Sequence, residues 1–138
     1  MIIVHYAPHA LPLARATVGS SGYDLRAAED YTIDAEHVVL FKTGVHLEMP
    51  PGMEAQVRAR SGLAFKGIYP PHGIGTIDSD YRGEIGVLLK NGGNGPYEIR
   101  RGDRIAQLVF AEVLHPAMDV GELGDTGRGA GGFGSTGR

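Results

Sequence analysis

Glycine and proline interrupt this chain at short intervals, and this punctuation limits the regular structure that can form between the breaks. The breaks include segments 50–52 (PPG), 70–73 (PPHG), 91–96 (NGGNGP) and 100–103 (RRGD). Between them lie short apolar runs, several of which alternate apolar and polar residues with the period of a β-strand. Helical periodicity is almost absent. The pattern predicts an all-β protein.

The individual elements can be placed along the chain. At most one short helix is expected, opening near Ser61, where a serine side chain can cap free backbone amides. The segment 91–99 (NGGNGPYEI) is typical of a hairpin connection, because glycine accepts positive φ and Pro96 cannot donate to a β-ladder. The clearest predicted strands are 2–6, 37–43, 45–49, 53–59, 85–90 and 104–113.

Length and charge restrict the classes of function. A chain of 138 residues fits one domain, and its 42% hydrophobic and 21% charged residues are ordinary for a folded soluble protein. A net charge of −3 provides no broad basic field for nucleic acid or an anionic membrane. No run approaches the ~18 apolar residues of a membrane span, and no secretory leader is recognisable. A cytoplasmic protein is expected.

The C-terminal segment GELGDTGRGAGGFGSTGR has too few apolar residues to order itself. We therefore predict a β-domain over residues 1–120 and a flexible arm over residues 121–138. The arm is either an ordinary mobile terminus or a segment that wraps an anionic ligand, since it combines Arg128, an aromatic residue and many glycines. The aromatic residue, Phe133, has either a packing or a stacking role.

An acidic cluster lies in segment 75–84 (GTIDSDYRGE), which contains Asp78, Asp80 and Glu84. These residues either form the charged tip of a hairpin or include a catalytic carboxylate, and the segment alone leaves both interpretations open. Tyr81 is either a packing residue or an aromatic face for a ligand, because a glycine-rich turn offers it little core to pack against.

The segment 58–67 (RARSGLAFKG) is a candidate phosphate-binding element. Arg60 and Ser61 lie where the predicted helix begins, so free amides and a guanidinium can hold a phosphate there. The simpler interpretation is a serine cap beside a surface arginine. No Walker motif is present, and the six histidines lack the spacing of a protein-held zinc site.

Five glycine-containing segments follow one another along most of the chain: 20–30 (SSGYDLRAAED), 60–67 (RSGLAFKG), 75–84 (GTIDSDYRGE), 102–110 (GDRIAQLVF) and 128–137 (RGAGGFGSTG). In this order they resemble the five motifs of the trimeric dUTPase family. The resemblance implies a distorted β-barrel or jelly-roll-like subunit in a homotrimer. Each active site would take the phosphate channel, the nucleoside pocket and the closing arm from different subunits.

The resemblance also implies an activity, which is hydrolysis of dUTP to dUMP and pyrophosphate by in-line attack of water at the α-phosphorus. This reaction limits uracil incorporation into DNA and supplies dUMP for dTMP synthesis. The cofactor Mg²⁺ would be held mainly by substrate phosphates and water, with no direct protein ligand. The expected partners are dUTP and other copies of the chain, with no nucleic acid and no membrane.

Individual residues receive roles from the same resemblance. Asp78 is expected to orient and deprotonate the attacking water, and Asp24 to support the site electrostatically. Tyr81 is expected to pack on the deoxyribose and exclude a 2′-hydroxyl. The other expected substrate-binding residues are Arg60, Ser61 and Gly62 on the triphosphate, Gly73, Thr76 and Ile77 at the uracil, Gln107 as a more distant polar contact, and Arg128, Phe133, Gly134 and Ser135 from the arm.

One departure and two alternatives remain at this point. His72 stands where several family members carry an asparagine that contacts uracil, which leaves base recognition by this side chain open. A dCTP deaminase shares the fold but needs a glutamate in the strand after the hairpin, where this chain has Leu88. A non-catalytic dUTP-binding protein would lack the carboxylate or the arm, yet Asp78, Arg128 and Phe133 are all present.

Overall fold

The computed structural model describes residues 1–135, so the predicted arm is described over 121–135 and its last three residues lie outside the described range. Within residues 1–135, no helix has the length and hydrophobicity needed to span a membrane. The described elements, in chain order, are β1 (Ile3–Tyr6), β2 (Tyr23–Arg26), β3 (Tyr31–Ile33), β4 (Val38–Lys42), β5 (Val45–Glu48), β6 (Met53–Arg58), α1 (Ser61–Ala64), β7 (Ile68–Tyr69), β8 (Gly75–Ile77), β9 (Gly86–Asn91), β10 (Tyr97–Ile99) and β11 (Arg104–Glu112).

The strands form four sheets, in which the described pairings are antiparallel. A four-stranded sheet has the order β2-β11-β6-β8, a three-stranded sheet has the order β4-β9-β7, and β1-β5 and β10-β3 form pairs. Strands distant in sequence are neighbours, so the chain crosses repeatedly between sheets, as in a jelly roll. Over residues 1–135 the ladders do not close into a barrel. The predicted all-β, jelly-roll-like fold is confirmed.

The core lies between the sheets and follows from the alternation along the strands. In β9 every second residue is buried, beginning with Val87 and Leu89, because successive side chains point to opposite faces. Each fully buried Leu, Ile or Phe side chain stabilises the fold by about 1.5–3 kcal/mol. The largest fully buried apolar side chains include Leu25, Ile33, Phe41, Ile68, Ile85, Leu89, Ile99, Ile105 and Leu108.

The connection 91–96 is not the predicted hairpin. β9 pairs with β4 and β7, whereas β10 pairs with β3, so the chain passes from one sheet to another. Buried Asn91 organises this crossing, because its Nδ2 donates to the carbonyls of Ile33 and Gly95, both at 2.8 Å. Its Oδ1 accepts from the Gly93 N–H at 2.9 Å. These hydrogen bonds direct the chain towards β3.

Ser61 does not cap the helix. The N-cap residue is Arg60, whose backbone is extended (φ −98°, ψ 128°) and whose side chain makes no capping hydrogen bond. Its carbonyl accepts from the amides of Leu63 and Ala64 at 3.1 and 2.9 Å. The predicted helix position is correct but the predicted cap is wrong, which leaves the Ser61 hydroxyl without a hydrogen bond among the described residues.

Candidate functional site

A cavity of about 330 Å³, here called the β8 cavity, lies between edge strand β8 and strands β4 and β9 of the three-stranded sheet. Its wall includes four residues predicted from the sequence: Thr76, Ile77, Asp78 and Tyr81. Apolar side chains surround a few polar groups, which is the usual character of a small-molecule site. The other wall residues are Leu40, Val57, His72, Gly75, Glu84, Gly86 and Leu88. Gly73 is not part of the cavity wall. It lies in a turn closed by a hydrogen bond from its amide to the Pro70 carbonyl.

The segment 78–84 is a crossing between sheets, so the hairpin-tip alternative is wrong. β8 pairs with β6, whereas β9 pairs with β4 and β7. Asp78 follows β8 directly, and its carbonyl accepts from the Tyr81 N–H at 3.1 Å. The crossing therefore places the exposed residues Asp78 and Tyr81 at the wall of the same cavity, and Asp78 also borders a second cavity beside Met53 and His115.

The Tyr81 ring is held at its hydroxyl end. Its hydroxyl donates to the Glu84 carbonyl at 3.0 Å. The ring lies against Gly83, where an added Cβ would be 2.2 Å from the hydroxyl oxygen. A side chain at position 83 would therefore displace the ring, which remains 44% exposed.

Glu84 also borders the β8 cavity, and its carboxylate binds the Gly44 amide and the His9 ring. Burial raises its pKa, but the Gly44 amide at 2.8 Å and the His9 ring at 3.3 Å oppose burial. The net effect is a Glu84 pKa below its ordinary value. Glu84 is therefore ionised at neutral pH.

A second set of residues, here called the arginine cluster, combines the predicted Asp24, Arg60 and Gln107 with Arg104, which was not predicted. It lies at the four-stranded sheet, with Arg60 just beyond the end of β6. Asp24 is paired directly with Gln107, which is paired in turn with Arg58, and directly paired residues share one face. Asp24 is only 8% exposed. Its carboxylate lies 3.7 Å from Arg60 Nε and 3.5 Å from Arg104 Nη1. Arg60 also donates to the Arg104 carbonyl at 2.8 Å.

The arginine cluster keeps hydrogen-bond donors for an anion. Arg60 Nε is buried and has no hydrogen-bond partner among the described residues, because 3.7 Å to Asp24 is too long for one. The neighbouring residues Ser61 and Gly62 are exposed. Their amides belong to the first turn of α1, where N–H groups have no intrahelical acceptor. A phosphate could bind to these donors.

The arginine cluster lies away from Asp78 within one chain. Ile77, next to Asp78, pairs with Ala55 of β6, whereas Gln107 pairs with Arg58 of the same strand. Measured along β6, the position opposite Asp78 and the position opposite Gln107 are therefore about 13 Å apart. One nucleotide would have to bridge two places on this surface that are far apart.

The arm residues lie apart from both sets. Arg128 Nε donates to the Gly131 carbonyl at 2.8 Å, and the Ser135 amide donates to the Gly132 carbonyl at 3.0 Å. Phe133 is fully exposed, with a φ of 51°. Gly134 follows it, also with positive φ. The described hydrogen bonds of residues 121–135 stay within the arm.

Several cavity residues were not predicted from the sequence. Leu40 of β4 pairs with Leu88 of β9 and lies diagonally across from Gly86, where an added Cβ would be 2.6 Å from Leu40 Cδ1. A glycine inside an otherwise regular strand is the signal that could have shown this close approach. His72 packs over Gly75, with its Cε1 3.0 Å from where a Cβ would be.

Comparison with known proteins gives consistent matches. The dUTPase family model matches residues 9–137. The chain is 53% identical over 124 residues to the deoxyuridine 5′-triphosphate nucleotidohydrolase of Anaeromyxobacter sp., covering 88% of this chain and 84% of that protein. It is 50% identical over 135 residues to the protein of that name from Zymomonas mobilis, covering 94% and 92%. The structure of the Staphylococcus bacteriophage 80alpha dUTPase with dUPNHPP superimposes with a TM-score of 0.92 at 26% identity, covering 100% of this chain and 99% of that one.

Proposed function

The chain belongs to the dUTPase family, and from this premise we propose how its residues carry out the hydrolysis of dUTP. The activity itself follows from the family: the enzyme is a dUTP diphosphatase. The observation that carries the mechanism is the β8 cavity, in which Asp78 and Tyr81 share one wall.

The β8 cavity binds the nucleoside. Its volume of about 330 Å³ and its mostly apolar wall suit a base and a sugar. Backbone groups of residues 73–77 form hydrogen bonds with the edge of the uracil ring. Gly73, Thr76 and Ile77 lie on the side of the site that contacts uracil. Tyr81 packs on the deoxyribose and leaves no room for a 2′-hydroxyl.

Asp78 activates the water. Its exposed carboxylate at the cavity accepts a proton from a water molecule, which then attacks the α-phosphorus in line with the leaving pyrophosphate. Glu84 stays ionised by binding the Gly44 amide and His9, and it is turned towards those partners. Asp78 is therefore the carboxylate available for proton transfer.

The arginine cluster binds the triphosphate. Arg60, Ser61 and Gly62 donate to phosphate oxygens, and charge that develops on the leaving oxygen strengthens these bonds in the transition state. Asp24 holds Arg60 and Arg104 by ion pairs at 3.7 and 3.5 Å. Its support is therefore electrostatic. Gln107, paired with Asp24, is a more distant polar contact.

A homotrimer completes the site. The separation of about 13 Å between the levels of the arginine cluster and Asp78 is resolved if one subunit supplies the β8 cavity and a second supplies the arginine cluster. The arm, residues 121–138 beyond a β-domain of residues 1–120, then closes from the third subunit. Phe133 stacks on uracil, Arg128 and Ser135 reach the terminal phosphates, and Gly134 allows the close approach.

Magnesium fits this donor set as a substrate-bound ion. Among residues 1–135 no three His, Asp or Glu side chains lie close enough together to hold a metal ion. Mg²⁺ readily keeps water ligands and binds phosphate oxygens, so the triphosphate would hold it. When bound it neutralises charge on the phosphates. In the cell, which we take to be the cytoplasm, the reaction limits uracil incorporation into DNA and supplies dUMP for dTMP synthesis.

A nucleotide panel tests the proposal. With Mg²⁺, the purified protein should release pyrophosphate rapidly from dUTP and much more slowly from dTTP, dCTP and UTP. Ammonia release from dCTP would instead indicate a deaminase, although Leu88 is the residue at the cavity wall where that chemistry needs a glutamate. Equal rates with dUTP and UTP would contradict the role given to Tyr81.

A further inference from the structure

We propose that Glu84 is a positioning residue, which fixes the crossing that carries Asp78 and Tyr81 and thereby sets the discrimination between deoxyribose and ribose. Glu84 does not touch the reacting atoms in this proposal. The inference deepens the proposed function, because it assumes that the β8 cavity binds the sugar.

Glu84 ties the crossing to a different part of the molecule. Its Oε1 accepts from the Gly44 amide at 2.8 Å, in the turn between β4 and β5. The same oxygen lies 3.3 Å from His9 Nε2 in the segment after β1. The side chain is 26% exposed, so the amide bond is shielded from competing water more than a surface contact would be.

The turn that receives Glu84 is itself rigid. Gly44 has a φ of 71°, and an added Cβ would lie 2.6 Å from the Ala10 Cβ. The Gly44 carbonyl accepts from the Ala7 amide at 2.8 Å. On the other side, Thr43 Oγ1 donates to the Ile85 carbonyl at 2.6 Å. The Glu84 carboxylate is therefore bound to a turn whose backbone cannot easily shift.

The main chain of Glu84 transmits this anchoring to the cavity. Its carbonyl accepts a hydrogen bond from the Tyr81 hydroxyl at 3.0 Å. In the same turn, the Tyr81 amide donates to the Asp78 carbonyl. Without the carboxylate, the partly buried Gly44 amide loses its acceptor, which is costly enough to rearrange a turn. The Tyr81 ring then has freedom to move away from the sugar.

Substitution of Glu84 by alanine and by glutamine separates positioning from charge. Glu84→Ala should lower kcat for dUTP by about ten- to a hundredfold, as expected for a misplaced catalytic group, and should narrow the ratio of kcat/KM for dUTP to that for UTP. Glu84→Gln keeps an oxygen for the Gly44 amide and should restore both values close to wild type. Glu36→Ala is the matched control, because it removes a glutamate whose contact is a surface pair with Lys90.

The outcomes distinguish this inference from the proposed function. If the wild type itself does not discriminate dUTP from UTP, the sugar site proposed for the β8 cavity is wrong. Suppose that the wild type discriminates. The positioning role is then wrong if Glu84→Ala keeps the wild-type ratio of kcat/KM for dUTP to that for UTP, or if Glu84→Gln loses as much kcat and discrimination as Glu84→Ala. If Glu84→Ala does not fold, Tyr81→Phe tests the same link, since it removes the hydrogen bond to the Glu84 carbonyl but keeps the ring. A narrowed ratio in that variant supports the inference, and an unchanged one overturns it.

Discussion

At the scale of single residues, two aspartates of this enzyme have surroundings that suit them to different tasks. Asp24 is almost buried and lies between two arginines, so its charge is already engaged. Asp78 is exposed at the β8 cavity, where a water molecule can reach it. Proton transfer requires a carboxylate that can change its charge during the reaction. Asp78 meets that requirement better than Asp24.

Substitution of Asp78 by asparagine should remove the proton acceptor while preserving the shape of the site. We expect turnover of dUTP to fall by at least about a hundredfold, because a general base contributes 10²–10⁴ in rate, whereas the dissociation constant for dUTP should change little. Pyrophosphate release and equilibrium binding measure the two effects separately. Asp80→Asn is the matched control, and undiminished turnover in Asp78→Asn would remove Asp78 from its role as base.

The lowered pKa of Glu84 predicts how stability depends on pH. A carboxylate whose pKa is lower in the folded state stabilises the protein above its unfolded pKa, and this stabilisation is lost as the pH falls through the folded value. The melting temperature of the wild type should therefore fall more steeply than that of Glu84→Gln as the pH drops from about 5 towards 3. Thermal unfolding followed by circular dichroism measures this difference. Parallel curves would mean that Glu84 has the same pKa in both states.

At the scale of elements, strand length decided which parts of the fold the sequence could predict. The six strands predicted from the sequence have four to nine residues in the structure, and each was predicted to within one residue at each end, because a period of two can be recognised over that length. They are β1, β4, β5, β6, β9 and β11. Strands β7, β8 and β10 have only two or three residues each. A pattern that short cannot be distinguished from a turn, and long-range pairing alone makes these segments strands.

The candidate site was predictable to a similar degree. Asp78 and Tyr81 lie on one short segment, so the sequence could predict that they act together, and both line the β8 cavity. Leu40 and Val57 enter the same wall from strands far away in the chain, and no local pattern reveals such contacts. Arg104 was also missed as a partner of Asp24, because that ion pair depends on the register of β2 with β11.

Deletion of residues 128–138 tests the arm as an element. We expect dUTP hydrolysis to fall by about a hundredfold or more, since a closing segment excludes water and completes the set of groups around the phosphates. The melting temperature should be unchanged, because the hydrogen bonds described for Arg128 and its neighbours stay within the arm. Activity and thermal unfolding of the same preparation provide the measurement. A rate equal to that of the full chain would show that the arm has no part in the reaction.

At the scale of the whole molecule, the arrangement of the predicted residues favours a site assembled from several chains. Asp78 follows β8, and Gln107 lies on β11 of the same sheet, but their levels along the sheet are about 13 Å apart. In a closed symmetric oligomer, a heterologous contact brings different surfaces of neighbouring subunits together at every interface. A cyclic trimer can therefore place the cavity of one copy beside the arginine cluster of the next, with no change in the fold of either.

Mixing two inactive variants tests this assembly directly. If one site takes Asp78 and the arm from different subunits, random trimers of Asp78→Asn and the 128–138 deletion should contain intact sites, about one quarter of the total at equal amounts, because each subunit position is filled independently in a symmetric oligomer. Pyrophosphate release should then reappear after the two proteins are unfolded and refolded together. The control mixes Asp78→Asn with a double variant that carries both changes, so that no subunit has an intact Asp78. Pyrophosphate release in the first mixture alone requires sites shared between subunits. No pyrophosphate release in either mixture would mean that each chain forms its site by itself.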